Sequence, residues 1–156
     1  MLGFTSINDV FPTIGLSIIV LTNNGDTPPD NIAKDILAKL DPGFEAKRDT
    51  AAAGETLQIT AKAEKVWTEL HIGTLDRSEL TPALNEALTP DRIAFMHVHY
   101  AAAGTPLRWI YKGKQEWPDG STIYSYRVLF KNGLAVLVAA TIAKDGKFAN
   151  VDMQYD

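Results

Sequence analysis

The chain has 156 residues, 46% hydrophobic and 22% charged, a balance that fits a globular protein and excludes a disordered one. It has no cysteine, which excludes disulfides, thiolate metal sites and cysteine nucleophiles. Its net charge of −4 arises in the first 46 residues, where two lysines face six acids; the remainder is balanced, and no basic patch points to nucleic acid.

No stretch reaches the roughly 18 apolar residues of a membrane span. The opening lacks a basic segment ahead of its apolar run, and Asp9 and Pro12 interrupt it, so it does not have the pattern of a signal peptide. Gly15 to Thr22 is a dense apolar run, expected to be a strand with partners on both sides. Asn23-Asn24-Gly25-Asp26 is a turn, and Thr27-Pro28-Pro29-Asp30 leads into a helix carrying Ile32, Ile36, Leu37 and Leu40 on one stripe. Asp41-Pro42-Gly43 ends it. One strand and one helix cannot form a core alone. Residues 45–56 are charged, then alanine-rich, and mark a boundary between a piece at 1–46 and a second at 47–156.

The second piece begins with three helical segments. Ile59, Ala63, Val66, Trp67 and Leu70 share a face of the first. The second lies in Arg77 to Leu88, with Thr81 as N-cap and Pro82 at the first helical position. The third repeats that signature at Thr89-Pro90, presents Ile93, Met96, His97 and Tyr100, and stops at Gly104. Four strands follow. Leu107, Trp109 and Tyr111 alternate, then Tyr124, Tyr126, Val128 and Phe130 after the turn at Trp117 to Ser121. Asn132-Gly133 signals a hairpin into the apolar run Leu134 to Ile142. Ala149, Val151, Met153 and Tyr155 alternate after the turn at Lys144 to Lys147. Helices followed by an antiparallel meander predict an α+β fold, with helices packed on one face of a curved four-stranded antiparallel sheet and a strand–helix segment ahead of it.

The ordered set Gly3-Phe4, Ser6, Pro12, the strand Gly15 to Asn24 and the helix near Asn31 to Leu40 resembles the C-terminal end of the serine β-lactamase and penicillin-binding-protein family, over about 40 residues. That family uses a serine activated by a lysine three residues on, so that both share a helix face. Here Ser6, Ser17, Ser78, Ser121 and Ser125 are followed at that spacing by Asp9, Val20, Thr81, Tyr124 and Val128. No tyrosine has an asparagine two residues on, and the family's third motif would fall before Met1. No catalytic residue is therefore assigned. The resemblance implies a non-catalytic accessory region, inactive alone. Its strand partners would belong to an upstream hydrolase domain of the same polypeptide, in a protein of the periplasm or outside the cell. Left unpaired, the strand at Gly15 to Leu21 would expose an apolar edge, so a homodimer is expected.

Residues 55–156, with "GTLDRSEL", "STIYSYRVLFKNG" and "AKDGKFANVDMQY", resemble the cone-shaped nuclear transport factor two-like fold, which includes SnoaL-like and cystatin-like relatives. This fold hosts enzymes, binders and spacers alike. The alternative function is then a stand-alone small-molecule binder or SnoaL-like enzyme. Its pocket would hold Trp109, Tyr111, Tyr124 and Tyr126 with Arg127 as a charge and His97 as acid or base. A packed core would account for the same aromatics. His97-Val98-His99 on a helix is about 200° out of phase for a shared ion, so no metal is expected, and no residue pattern calls for a cofactor. Asp76 with Glu79 suits a cap, and Lys144 to Lys147 a tight turn.

Overall fold

The computed structural model describes residues 3–25 and 28–155, without the side chains of Thr13, Glu45, His99 and Tyr155. Asp26 and Thr27, at the expected turn and helix entry, lie outside the described residues. The chain divides into two compact units, Met1–Thr50 and Ala51–Asp156.

In the first unit, the apolar strand has a partner within the chain, where the sequence predicts only one strand. β1 (Thr5–Phe11) pairs antiparallel with β2 (Leu16–Thr22), in a register that sets Ile7 opposite Val20 and Phe11 opposite Leu16. A single 3-10 turn at Pro12–Ile14 joins them, and Gly15 adopts the left-handed conformation (φ 66°) that closes it. The Thr5 and Thr22 hydroxyls meet at 2.7 Å. α1 (Pro29–Leu40) covers one face of this hairpin, with Ala33 and Leu37 packed on Ile18 and Val20. The buried stripe of α1 is therefore Ala33–Leu37, rotated from the expected one: Ile32, Ile36 and Leu40 remain exposed. α2 (Phe44–Arg48) occupies part of the expected linker. Phe44 meets Phe11 edge to face at 5.8 Å, and the Arg48 guanidinium lies 5.5 Å from the Phe44 ring centre.

The second unit is α+β. α3 (Leu57–His71) buries Ala63, Val66, Trp67 and Leu70, the face given by its periodicity. The second helical segment, α4 (Pro82–Ala87), starts where Thr81 and Pro82 place it: the Thr81 Oγ1 accepts from the Leu84 amide, and a 3-10 turn at Arg77–Glu79 precedes it. α5 (Pro90–Ala103) starts in the same way, with Thr89 accepting from the Arg92 amide. Four strands then form one antiparallel sheet in sequence order: β3 (Pro106–Glu116), β4 (Thr122–Phe130), β5 (Ala135–Ile142) and β6 (Phe148–Tyr155). Register shifts at Leu107 and Lys112 in β3 introduce bulges, and these increase local twist. Val128, Val136 and Val138 on one sheet face pack against Trp67, Leu70 and Tyr100 of the helices. Asn132 ties the β4–β5 hairpin to α5: its Nδ2 donates to the Ala103 carbonyl at 3.2 Å while its Oδ1 accepts from the Leu134 amide.

Candidate functional site

The aromatic residues singled out in the sequence gather on the helix-covered face of the sheet, where they are packed. Tyr111 and Tyr126 are 2% and 1% exposed. Trp109 stands edge-on to Tyr126 at 5.5 Å and to Trp67 at 5.9 Å. Trp67 stacks on Tyr100 at 4.5 Å and leans on Phe130 at 5.8 Å, so two rings from the helices fill the space above the sheet. Tyr124 shares that face at the edge of the cluster, half-buried. Burial pushes the Tyr126 phenol above its usual range, as it does that of Tyr111. The Trp67 indole N–H has no acceptor among the described residues.

The other two residues of the expected pocket lie elsewhere. Arg127 is buried, and its position between Tyr126 and Val128 puts it on the opposite face of the sheet. His97 is held at the end of α3: its Nδ1–H donates to the His71 carbonyl at 2.6 Å, and its ring lies against Gly73. The His71 ring in turn donates to the Tyr100 carbonyl at 3.2 Å. These bonds fix the orientation of both imidazoles and lock α3 to α5. Among the described residues, no cluster of three or more histidines and carboxylates has the arrangement to hold a metal ion.

Asp76 and Glu79 are structural. Asp76 accepts from Lys65 Nζ at 2.8 Å and from the Ser78 hydroxyl and amide, which caps the 3-10 turn. The Lys65 ammonium, then Ser78, hold its carboxyl well below the usual range. Glu79 accepts from Lys62 at 2.8 Å. Arg77 reaches the carbonyls of Asn85 and Leu88, satisfying acceptors at the end of α4. Asp145 accepts from the Lys147 amide in a tight turn.

A cavity does exist in this unit, in a place that the sequence did not single out. A cleft of about 750 Å3 opens between α5 and β6, bordered by Arg92, Phe95, Met96, Tyr100, Asn150 and Asp152. A smaller pocket of about 180 Å3, walled by Val66, Leu70, Leu80, Leu84 and Leu88, shares Arg92, Met96 and Asn150 with it. Arg92 lines both spaces, and it makes no ion pair with a described residue. Burial pushes the Tyr100 phenol up to about 12; the Asp152 carboxylate acts in the same direction and the Arg92 guanidinium against it, so both charges bear on this hydroxyl. The signal available in the sequence was the spacing of Arg92, Met96 and Tyr100, four residues apart each time, which sets a cation, a thioether and a phenol on one helix face. Asn150 and Asp152 carried no such signal.

No protein-family model, curated protein or solved structure matches this chain.

Proposed function

We propose that this chain is the non-catalytic C-terminal accessory region of a β-lactamase-like serine hydrolase, its first unit completing the sheet of an upstream domain and its second unit a cone-shaped nuclear transport factor two-like module. The observation that carries this reading is the state of the β1–β2 hairpin. One face is packed by α1, while Val10, Ile19 and Leu21 on the other are 62%, 64% and 78% exposed. A two-stranded sheet is at best marginal in water, and an apolar second face suits a sheet covered on both sides. The missing serine–lysine pair leaves the chain without the family's nucleophile. The purified chain is expected to show no turnover of nitrocefin or p-nitrophenyl esters; turnover that co-purifies with it and persists through a second affinity step refutes the reading.

In the absence of the upstream domain, the open face and edges of the hairpin favour pairing with a second copy. Ile19→Lys with Leu21→Lys is then expected to convert a dimer to a monomer in sedimentation velocity. A wild-type chain that is already monomeric at high concentration overturns that expectation.

A second reading, that the second unit binds a small molecule, is favoured by the cleft between α5 and β6. A cavity combining apolar walls with a few convergent polar groups is the usual form of a ligand site.

A further inference from the structure

We propose that the free edge of β6 takes up an extended segment of another protein as a fifth strand, with an apolar and an acidic side chain, two residues apart, seated in the cleft beside α5. The apolar side chain lies on Phe95, Met96 and Val151, and the acidic one meets Arg92. The proposal goes beyond the second reading, since it gives the same cleft a polypeptide in place of a small molecule.

The edge of β6 is one wall of the cleft. β6 lies at the end of the sheet. Its start is paired on the outer side, where the Thr81 amide donates to the Phe148 carbonyl at 2.9 Å. Farther along, Val151 and Met153 pack toward the helix-covered core, while Asp152 and Gln154 alternate to the far face and line a groove there with Lys112 and Leu137. Yet Asn150, Val151, Asp152 and Met153 all border the cleft. Four consecutive residues of a strand share one space only along its edge. The Met153 amide donates to Asp152 Oδ1 at 3.0 Å and so points outward. Alternation of the ladder turns the Val151 N–H and C=O outward as well. Among the described residues, none pairs with those Val151 groups.

The opposite wall suits a strand in length and in chemistry. Arg92 to Tyr100 on α5 spans about 12 Å, and Asn150 to Met153 spans about 10 Å, room for roughly three or four peptide residues. Every second side chain of a docked strand faces α5. Phe95, 63% exposed, and Met96 offer an apolar contact there. Arg92 makes no ion pair with a described residue, and its planar fork of donors fits a carboxylate. An apolar and an acidic side chain therefore belong on the same face of the incoming strand, two positions apart. A second copy of β6 does not supply that pair: Val151 and Met153 on its cleft side are apolar, and its acid, Asp152, is on the far face.

The test is isothermal titration of the full chain with acetylated, amidated heptapeptides of threonine that carry one phenylalanine and one glutamate. Two peptides set them two positions apart, in either order; a third sets them side by side, which sends one to the far face. Saturable binding of at least one of the first two is expected at about millimolar concentration or below, with the third weaker by about tenfold or more. Arg92→Gln should weaken the better peptide by about tenfold with an unchanged unfolding midpoint. N-methylation of one alternate set of its amides should abolish binding, and of the other set should spare it, because a strand turns every second amide toward its partner. Equal binding of all three peptides, or of both methylated forms, overturns strand pairing. A dimer that Val151→Pro converts to a monomer makes a second copy the occupant and overturns the assignment of a partner; proline there removes an outward amide and leaves the ladder to β5 intact. No binding by any peptide overturns the proposal. If 8-anilinonaphthalene-1-sulfonate then binds wild type more tightly than Arg92→Gln, the small-molecule reading survives; if it does not bind, that reading fails as well.

Discussion

Tyr126 decides whether the aromatic cluster is a packed core or a solvated chamber. Its ring is in edge or tilted contact with Trp109 and Tyr111 and is 1% exposed, and its hydroxyl lies 3.4 Å from Thr60 Oγ1. That separation exceeds the usual 2.5–3.0 Å of an O–H···O bond, and Thr60 already donates to Glu55 at 2.8 Å. Losing the hydroxyl in Tyr126→Phe should therefore cost no more than about 1 kcal/mol. Losing the ring in Tyr126→Ala removes a fully buried aromatic and leaves a cavity, at about 3–5 kcal/mol. Against a total of about 5–15 kcal/mol for a domain, the alanine variant loses a large share of its stability. The assay is urea unfolding followed by tryptophan fluorescence. All three tryptophans, Trp67, Trp109 and Trp117, lie in the second unit, so the signal reports that unit alone. With a slope of about 2 kcal/mol per molar urea, the alanine midpoint should fall by about 1.5–2.5 M and the phenylalanine midpoint by less than about 0.5 M. An alanine variant within about 0.5 M of wild type would refute the packed-core account, since a ring lining an open chamber can be removed cheaply.

Other substitutions test separate parts of the fold. Thr81→Ala removes the oxygen that accepts from the Leu84 amide and should cost about 1 kcal/mol in the same unfolding assay; Thr81→Ser should recover most of it. Gly104 ends α5 at φ 86°, ψ −158°, a conformation essentially confined to glycine, so Gly104→Ala should cost about 1–3 kcal/mol. Asp76 has its folded carboxyl held below the ordinary value of 3.8 by Lys65 and Ser78. Its contribution is therefore present above that value and fades as the pH falls below it. In an acid titration monitored by tryptophan fluorescence, Asp76→Asn should be less stable than wild type near neutrality and lose less stability between about pH 5 and pH 2; an unchanged acid limb would count against the Lys65–Asp76 pairing.

The meander was legible in the sequence because its signals agree at every level. Tyr124, Tyr126, Val128 and Phe130 alternate, Asn132-Gly133 closes the hairpin with Gly133 at φ 85°, and the apolar run that follows becomes β5, flanked on both sides. β1 was hidden because its pattern is weak on both faces: Asp9 occupies a covered-face position between Ile7 and Phe11, and Ser6 and Asn8 share the open face with Val10. Alternation there is one of exposure more than of residue type, and only the pairing with β2 makes it a strand. The start of α4 was legible in Thr81-Pro82, a cap followed by the residue that suits the first helical position; the 3-10 turn at Arg77–Glu79 ahead of it carried no comparable signal.

The site was less legible for a different reason. Period-two alternation in β3 and β4 places Trp109, Tyr111, Tyr124 and Tyr126 on one face, and that much follows from the strands alone. Whether the space above them is hollow depends on what the helices bring. Trp67 and Tyr100 arrive from α3 and α5 as a stacked pair and close it. The hollow is displaced toward β6, where α5 stands off the last strand and Arg92, Tyr100 and Asp152 come within electrostatic reach across some sixty residues of sequence. No local pattern encodes that distance. Tyr100, whose ring stacks on Trp67 above the sheet aromatics, also lines the cleft beside β6, so one helix residue belongs to both the packed cluster and the open space.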